Sequence, residues 1–202
     1  PVPVSPHTAK SRSPSPSKSP QATEPLEHEA APGSATAVND SGQVTGYTYT
    51  ITDAGKEAYR AFLVNPVDTD GDGVADTWFT GTNGVNNLML DVGTLGGLNS
   101  WGRDISNSGA IVGETDYDAP DGAHFTRAFL WQGGAITDLG TLHSDPTRGF
   151  SSASAINEKG TIVGWAENDN GDRRAFVYSG GVMQDLNSLL YLVDEQGFAI
   201  TP

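Results

Sequence analysis

One phrase recurs three times in this chain: an Asn/Ser-x-x-Gly turn, then Arg-Ala-Phe, then Asp-x-(Gly/Asn)-(Thr/Ser)-Leu. The first copy holds Asn39 to Gly42, Arg60-Ala61-Phe62 and Asp91-Val92-Gly93-Thr94-Leu95. The second holds Ser106 to Gly109, Arg127-Ala128-Phe129 and Asp138-Leu139-Gly140-Thr141-Leu142, and the third Asn157 to Gly160, Arg174-Ala175-Phe176 and Asp185-Leu186-Asn187-Ser188-Leu189. Asp91, Asp138 and Asp185 are each 47 residues apart. Self-similarity at such a period means stacked units, each too small to bury its own apolar face. The spacing from Arg to Asp is 11 residues in copies two and three and 31 in copy one, which therefore carries a 20-residue insertion.

Within each copy the residue pattern predicts four short strands. The Asn/Ser-x-x-Gly segments supply side-chain acceptors and a glycine for a tight hairpin. A second strand follows at once: Val44-Thr45-Gly46, Ile111-Val112-Gly113, Ile162-Val163-Gly164. Its repeated glycine predicts close backbone approach or a bulge. The third strand contains Ala-Phe-Leu/Val, and Gly133-Gly134 and Gly180-Gly181 turn it into a fourth. No stretch keeps a 3.6-residue apolar period, so helix is expected to be nearly absent. A four-stranded unit of this size matches a propeller blade. The expectation is an all-β fold of about three four-stranded antiparallel blades of a partial or open β-propeller, with a disordered N-terminal tail. In this division residues 34–100 form the first blade, with an insertion at 65–88. Residues 101–148 form the second and 149–190 the third, and 191–202 read as the start of a truncated next repeat.

Residues 1–33 form the tail. They hold eight of the twelve prolines and the run Ser11-Arg12-Ser13-Pro14-Ser15-Pro16-Ser17-Lys18-Ser19-Pro20, too little apolar surface to offset the entropy of ordering. The three basic and three acidic residues of this tail cancel, so residues 34–202 carry the whole net charge of −14. Such a surface repels nucleic-acid phosphate and anionic lipid. No cysteine is present, which excludes disulfides and thiolate sites. No apolar run has the length of a membrane span. A start at Pro1 without a signal peptide reads as a portion of something longer, with further blades or domains in the same parent chain.

The repeated elements resemble the HAF-type extracellular repeat, named for His-Ala-Phe followed by Asp-Leu-Gly-Thr-Leu-Gly-Gly. The resemblance spans about residues 34–190 and is carried best by Asp91 to Gly97 and Asp138 to Leu142. The triplet's His is replaced by Arg60, Arg127 and Arg174, so no role of that His transfers. The resemblance implies an exported, extracellular or cell-surface protein and brings no common enzymatic activity.

The insertion holds the most specific chemistry. Asp68-Thr69-Asp70-Gly71-Asp72-Gly73-Val74-Ala75-Asp76 places carboxylates at positions 1, 3, 5 and 9 of a calcium loop, with the Val74 carbonyl at position 7. Four carboxylates so close repel one another unless a cation joins them. Position 12, where an EF-hand has Glu, is Phe79, which predicts weak Ca²⁺ affinity or a ligand from elsewhere. The alternative is an ion-free acidic surface loop. Thr82-Asn83-Gly84-Val85-Asn86-Asn87 reads as a decayed second loop.

No catalytic constellation stands out. His7 and His28 lie in the tail, His124 and His143 in loops of the second copy, and no nucleophile elbow, zinc motif or phosphate loop is present. The repeated arginines are expected to pair with each copy's Asp or with backbone carbonyls. Trp101, Trp131, Trp165 and Tyr178 are either a sugar-stacking platform or packing between blades. These readings predict a non-enzymatic secreted module for binding or structure, stabilised by Ca²⁺, with polysaccharide or another cell-surface protein as partner. The alternative is part of a propeller-type polysaccharide hydrolase or lyase whose active face other blades complete.

Overall fold

The computed structural model describes residues 32–82 and 85–189; the tail up to residue 31 and the segment 191–202 lie outside the described residues. The described residues form twelve strands and one four-residue helix, an all-β fold, as the absence of a helical period predicts. Three four-stranded antiparallel sheets follow in chain order. The first contains β1 (Gly33–Val38), β2 (Val44–Ile51), β3 (Glu57–Val64) and β4 (Met89–Asp91). The second contains β5 (Gly96–Ile105), β6 (Ile111–Asp118), β7 (His124–Gln132) and β8 (Ala135–Asp138). The third contains β9 (Ser151–Ile156), β10 (Ile162–Glu167), β11 (Arg173–Ser179) and β12 (Val182–Asp185), followed by α1 (Leu186–Leu189). β5 begins ahead of the division expected at residue 100, because Gly96-Gly97-Leu98 runs straight into the strand.

Each sheet is a simple meander in which neighbours in sequence are neighbours in space. The turns close as their residues dictate. Asn39 Oδ1 accepts the N–H groups of Ser41 and Gln43, and Asn157 Oδ1 those of Lys159 and Thr161. At the second turn Ser106 Oγ accepts the Ala110 N–H at 3.2 Å.

The repeated second-strand glycine produces both effects expected of it. The first strand of every sheet slips register opposite it, at Ala35/Ala37, Gly102/Asp104 and Ala153/Ala155. A methyl group built on Gly46, Gly113 or Gly164 would overlap the carbonyl oxygen of Ser34, Trp101 or Ser152. On the other side each glycine pairs with the phenylalanine of Arg-Ala-Phe, which pairs in turn with the repeated aspartate: Gly46-Phe62-Asp91, Gly113-Phe129-Asp138, Gly164-Phe176-Asp185. The aspartates cap the chain's exit, accepting the N–H of Gly93, Gly140 and Asn187, each at 2.8 Å.

The sheets stack face to face. Ala61, Leu63 and Val92 of the first repeat pack on Ile105, Ile111, Phe129 and Trp131 of the second. Val112, Ala128 and Leu139 of the second pack on Ile162, Phe176 and Ala153 of the third. In both junctions the later sheet's first strand lies across the earlier sheet's first three strands. A hydrogen bond marks each junction: Ala61 N–H donates to Ser100 Oγ at 3.0 Å and Ala128 N–H to Ser151 Oγ at 2.9 Å. Ser151 also donates to the Gly140 carbonyl at 2.6 Å. The turns join the stack, with Asn39 Nδ2 donating to the Ser106 carbonyl and the Asn107 N–H to Glu158 Oε1.

Ser151→Ala strands the buried Ala128 N–H and the Gly140 carbonyl. Urea unfolding of this variant is expected to show a loss of about 2 kcal/mol, since an unsatisfied buried polar group costs roughly 1–3 kcal/mol. An unchanged midpoint would show that the serine hydroxyl does not join the sheets.

Candidate metal centre

The insertion leaves β3 at Val64 and returns at β4. A bridge between Val67 and Thr77 closes its neck, with the Val67 N–H donating to the Thr77 carbonyl at 2.9 Å. Trp78 pins it to the repeat fold: its indole N–H donates to the Gly42 carbonyl at 2.7 Å, over the first hairpin turn. Gln43 Nε2 donates to Asn65 Oδ1 at 2.7 Å at the insertion's base. Asn86 holds the return, donating to the Trp78 carbonyl and accepting the Leu88 N–H. The decayed second loop includes Asn83 and Gly84, which lie outside the described residues.

Within this frame Asp68, Asp70 and Asp76 bring one carboxylate oxygen each to within 4.8 Å of one another. Oxygens around a common Ca²⁺ at roughly 2.3–2.6 Å can be no further apart than about twice that distance, so the three fit one cation. The backbone wraps as the glycines permit, at φ 81° for Gly71 and 88° for Gly73. Asp68 accepts the N–H of Gly71 at 2.7 Å on one oxygen and that of Gly73 at 2.9 Å on the other. Asp76 Oδ2 accepts both the N–H and the hydroxyl of Thr69, at 2.8 and 2.7 Å. Each Asp68 oxygen keeps a further lone pair for a cation, and in Asp76 it is Oδ1 that stays available, because Oδ2 already accepts two bonds.

Asp72, expected as the fifth-position ligand, is outside this triad; its Oδ1 accepts the Val74 N–H at 2.8 Å. Val74 is exposed, and Phe79 at the twelfth position is exposed and offers no side-chain oxygen. Three of the four aspartates of the motif therefore converge. Thr69 and Trp78 are the contributors that the carboxylate spacing does not reveal. Thr69 falls at a motif position open to any residue, and Trp78 acts through a turn distant in sequence.

The loop's electrostatics follow from these bonds. The N–H groups of Gly73 and Gly71 hold the Asp68 carboxyl below its ordinary pKa, and the Thr69 hydroxyl and N–H do the same for Asp76. Both groups stay ionised through the neutral range.

The repeated arginines do not share one role. Arg60 clasps Asp91 with two nitrogens, at 3.0 and 3.2 Å, as expected. Arg127 is completely buried and donates to the Pro146 carbonyl at 2.9 Å, with Asp138 only at 4.0 Å. Its guanidinium carbon lies 4.8 Å from the centre of the Tyr117 ring, while Nε and Nη1 have no hydrogen-bond partner among the described residues. Burial pulls its pKa down and Asp138 opposes the shift. Arg174 departs from the expected pairing: it meets Asp172, in the turn just ahead of β11, at 3.3 Å rather than Asp185. Among the aromatics Trp131 is buried between sheets, Trp101 stacks on Tyr59 at 6.4 Å, and Trp165 carries Arg173 at 4.0 Å.

A cleft of about 620 Å³ lies where the first two sheets meet, lined by Lys56, Arg60, Asp116, Asp118, His124 and Phe125 among others. Several of its charged groups are engaged: Arg60 pairs with Asp91, His124 Nδ1 lies 2.7 Å from Asp118, and Asp116 accepts the N–H and Nδ2–H of Asn99. His143, in the second-copy loop, lies 3.3 Å from Asp169. No helix among the described residues is long and apolar enough to cross a membrane. Comparison with protein-family models, with curated proteins and with solved structures finds no match.

The lowered pKa values set a pH window. A carboxyl whose folded pKa lies below its unfolded value adds stability that is present above the unfolded value, roughly 3.9, and lost as pH falls through the folded value. Carboxyl NMR titration is expected to give midpoints below about 3.9 for Asp68 and Asp76, with the loop ordered from neutral pH down to that range. Midpoints at or above it would contradict the hydrogen bonding described.

Proposed function

We propose that the chain is a non-enzymatic, exported β-repeat module of propeller type that serves a binding or surface-structural role and is stabilised by Ca²⁺. The observation that carries the calcium reading is the convergence of Asp68, Asp70 and Asp76 within the reach of a single cation. In this reading Asp68, Asp70 and Asp76 supply side-chain oxygens, the Val74 carbonyl supplies a backbone ligand, and Asp72 is drawn in or acts through the loop's negative field. The ion offsets the mutual repulsion of the carboxylates and fixes the insertion against the Gly42 turn. The metal's part is ordering, because no nucleophile or general base converges on the loop among the described residues.

The propeller reading rests on the 47-residue meanders and their face-to-face stacking. Extracellular or cell-surface placement rests on the resemblance to the HAF-type repeat, with polysaccharide or a cell-surface protein as the partner class. The excess of acidic over basic side chains agrees with a calcium-containing medium.

Titration with Ca²⁺ is expected to raise the thermal midpoint, by about 2.7 kcal/mol of stabilisation at a hundredfold excess over Kd. Asp70→Ala is expected to remove the rise and Asp72→Ala to reduce it less. An unmutated chain whose midpoint ignores Ca²⁺ would overturn the calcium reading.

A further inference from the structure

The two junctions between sheets provide a template for a third. In each, the Ala of Arg-Ala-Phe is completely buried (0% exposed for Ala61 and Ala128), and so is the residue before the second-strand glycine (0% for Thr45 and Val112). What covers them is the first strand of the next sheet, β5 over the first sheet and β9 over the second. The third sheet repeats the surface without the cover. Ala175 is exposed, Val163 is 39% exposed, and no side-chain acceptor meets the Ala175 N–H among the described residues. An open groove of about 380 Å³ runs there, lined by Ser154, Val163, Trp165, Arg173, Arg174 and Ala175, among others. Trp165 and Arg173, stacked at 4.0 Å, occupy the register positions that Tyr47 and Tyr59 hold in the first sheet, where Trp101 of the next sheet rests on Tyr59.

We infer that this face of the third sheet is a docking surface for a further four-stranded unit of the same repeat, whose first strand sets a serine hydroxyl against the Ala175 N–H. The inference rests on the repeat-module reading above and is independent of its calcium. The chemistry of the latch also selects the occupant. Ser100 and Ser151 pair with the residue two beyond the second-strand glycine, at Thr115 and Ala166. The matching position of the first sheet, paired with Thr48, is Gly33. The first strand of a second copy of this chain therefore lacks the hydroxyl, and the fitting partner is a unit that resembles the second or third repeat. In such a unit, Trp165 and Arg173 become a covered cation–aromatic stack, which gains strength as water leaves.

An in-frame duplication tests this. Repeating residues 139–185 directly after Asp185 puts a copy of Ser151 at the same distance along the chain from Ala175 as Ser151 lies from Ala128, 23 residues. Amide hydrogen exchange is measured with chelator present, so that the outcome does not depend on calcium. In the unmodified chain the Ala175 amide is expected to exchange at least about tenfold faster than that of Ala128, the factor that a buried hydrogen bond worth roughly 1.4 kcal/mol implies. In the duplicated chain Ala175 is expected to fall to the Ala128 rate, and changing the copied Ser151 to Ala is expected to restore most of the difference. A unit of this size cannot cover its own faces, so the copy folds only where it docks. An Ala175 rate unchanged by the duplication overturns the inference, as does loss of protection at Ala61 and Ala128. Concentration-dependent protection of Ala175 in the unmodified chain, together with a dimer in sedimentation, would assign the face to a second copy instead. A Ca²⁺ response that fails while Ala175 becomes protected would remove the metal reading alone.

Discussion

Everything in this molecule depends on the absence of a side chain at Gly46, Gly113 and Gly164. The carbonyl of the first strand occupies the space where a Cβ would stand, and the strand bulges there to make room. A bulge bends its strand and increases the local twist. In this fold the bulged strand is also the one that crosses onto the preceding sheet. The phenylalanine paired with each glycine provides apolar cover that the glycine cannot, and the aspartate beyond it caps the exit. One missing methyl group thus links the bulge, the core aromatic and the turn.

The face so formed is small, and apolar packing is supplemented by a directed bond. A backbone N–H at the end of a ladder, where the fourth strand has already turned away, must find an acceptor in the interior. Ser100 and Ser151 provide it from the next sheet. This makes each sheet's stability conditional on its successor, as in repeat proteins whose units have no independent core. The acidic insertion stands apart from this arrangement. It is tied to the stack through Trp78 and the Gly42 turn, and its own order comes from carboxylates capped by backbone N–H groups.

Much of this architecture was legible in the residues because it is written in short-range terms. Asn-x-x-Gly specifies a hairpin, a glycine within a β-branched strand signals close approach, and the shift of Asp91 relative to Arg60 revealed the insertion. The junction serines were not legible. Ser100 and Ser151 sit in unlike contexts, Asn99-Ser100-Trp101 and Phe150-Ser151-Ser152, and become equivalent only through register. Of the arginines, Arg60 meets its Asp and Arg127 a backbone carbonyl, as expected, and only Arg174 departs: position in the repeat is shared by all three, but their neighbours come from loops that differ, such as Pro146 for Arg127 and Asp172 for Arg174. In the insertion the spacing singled out Asp68, Asp70, Asp72 and Asp76 alike; the carboxylates of Asp68, Asp70 and Asp76 converge while that of Asp72 does not, a difference that spacing does not decide.

The most direct test of this account is the stability of Gly113→Ala by chemical denaturation. The added methyl group must displace the Trp101 carbonyl on one side and the Phe129 ring on the other, both within the buried junction. The account predicts a loss of about 3 kcal/mol or more, at or beyond the upper range for overpacking a core. A loss below about 0.5 kcal/mol, as for an ordinary surface change, would contradict it.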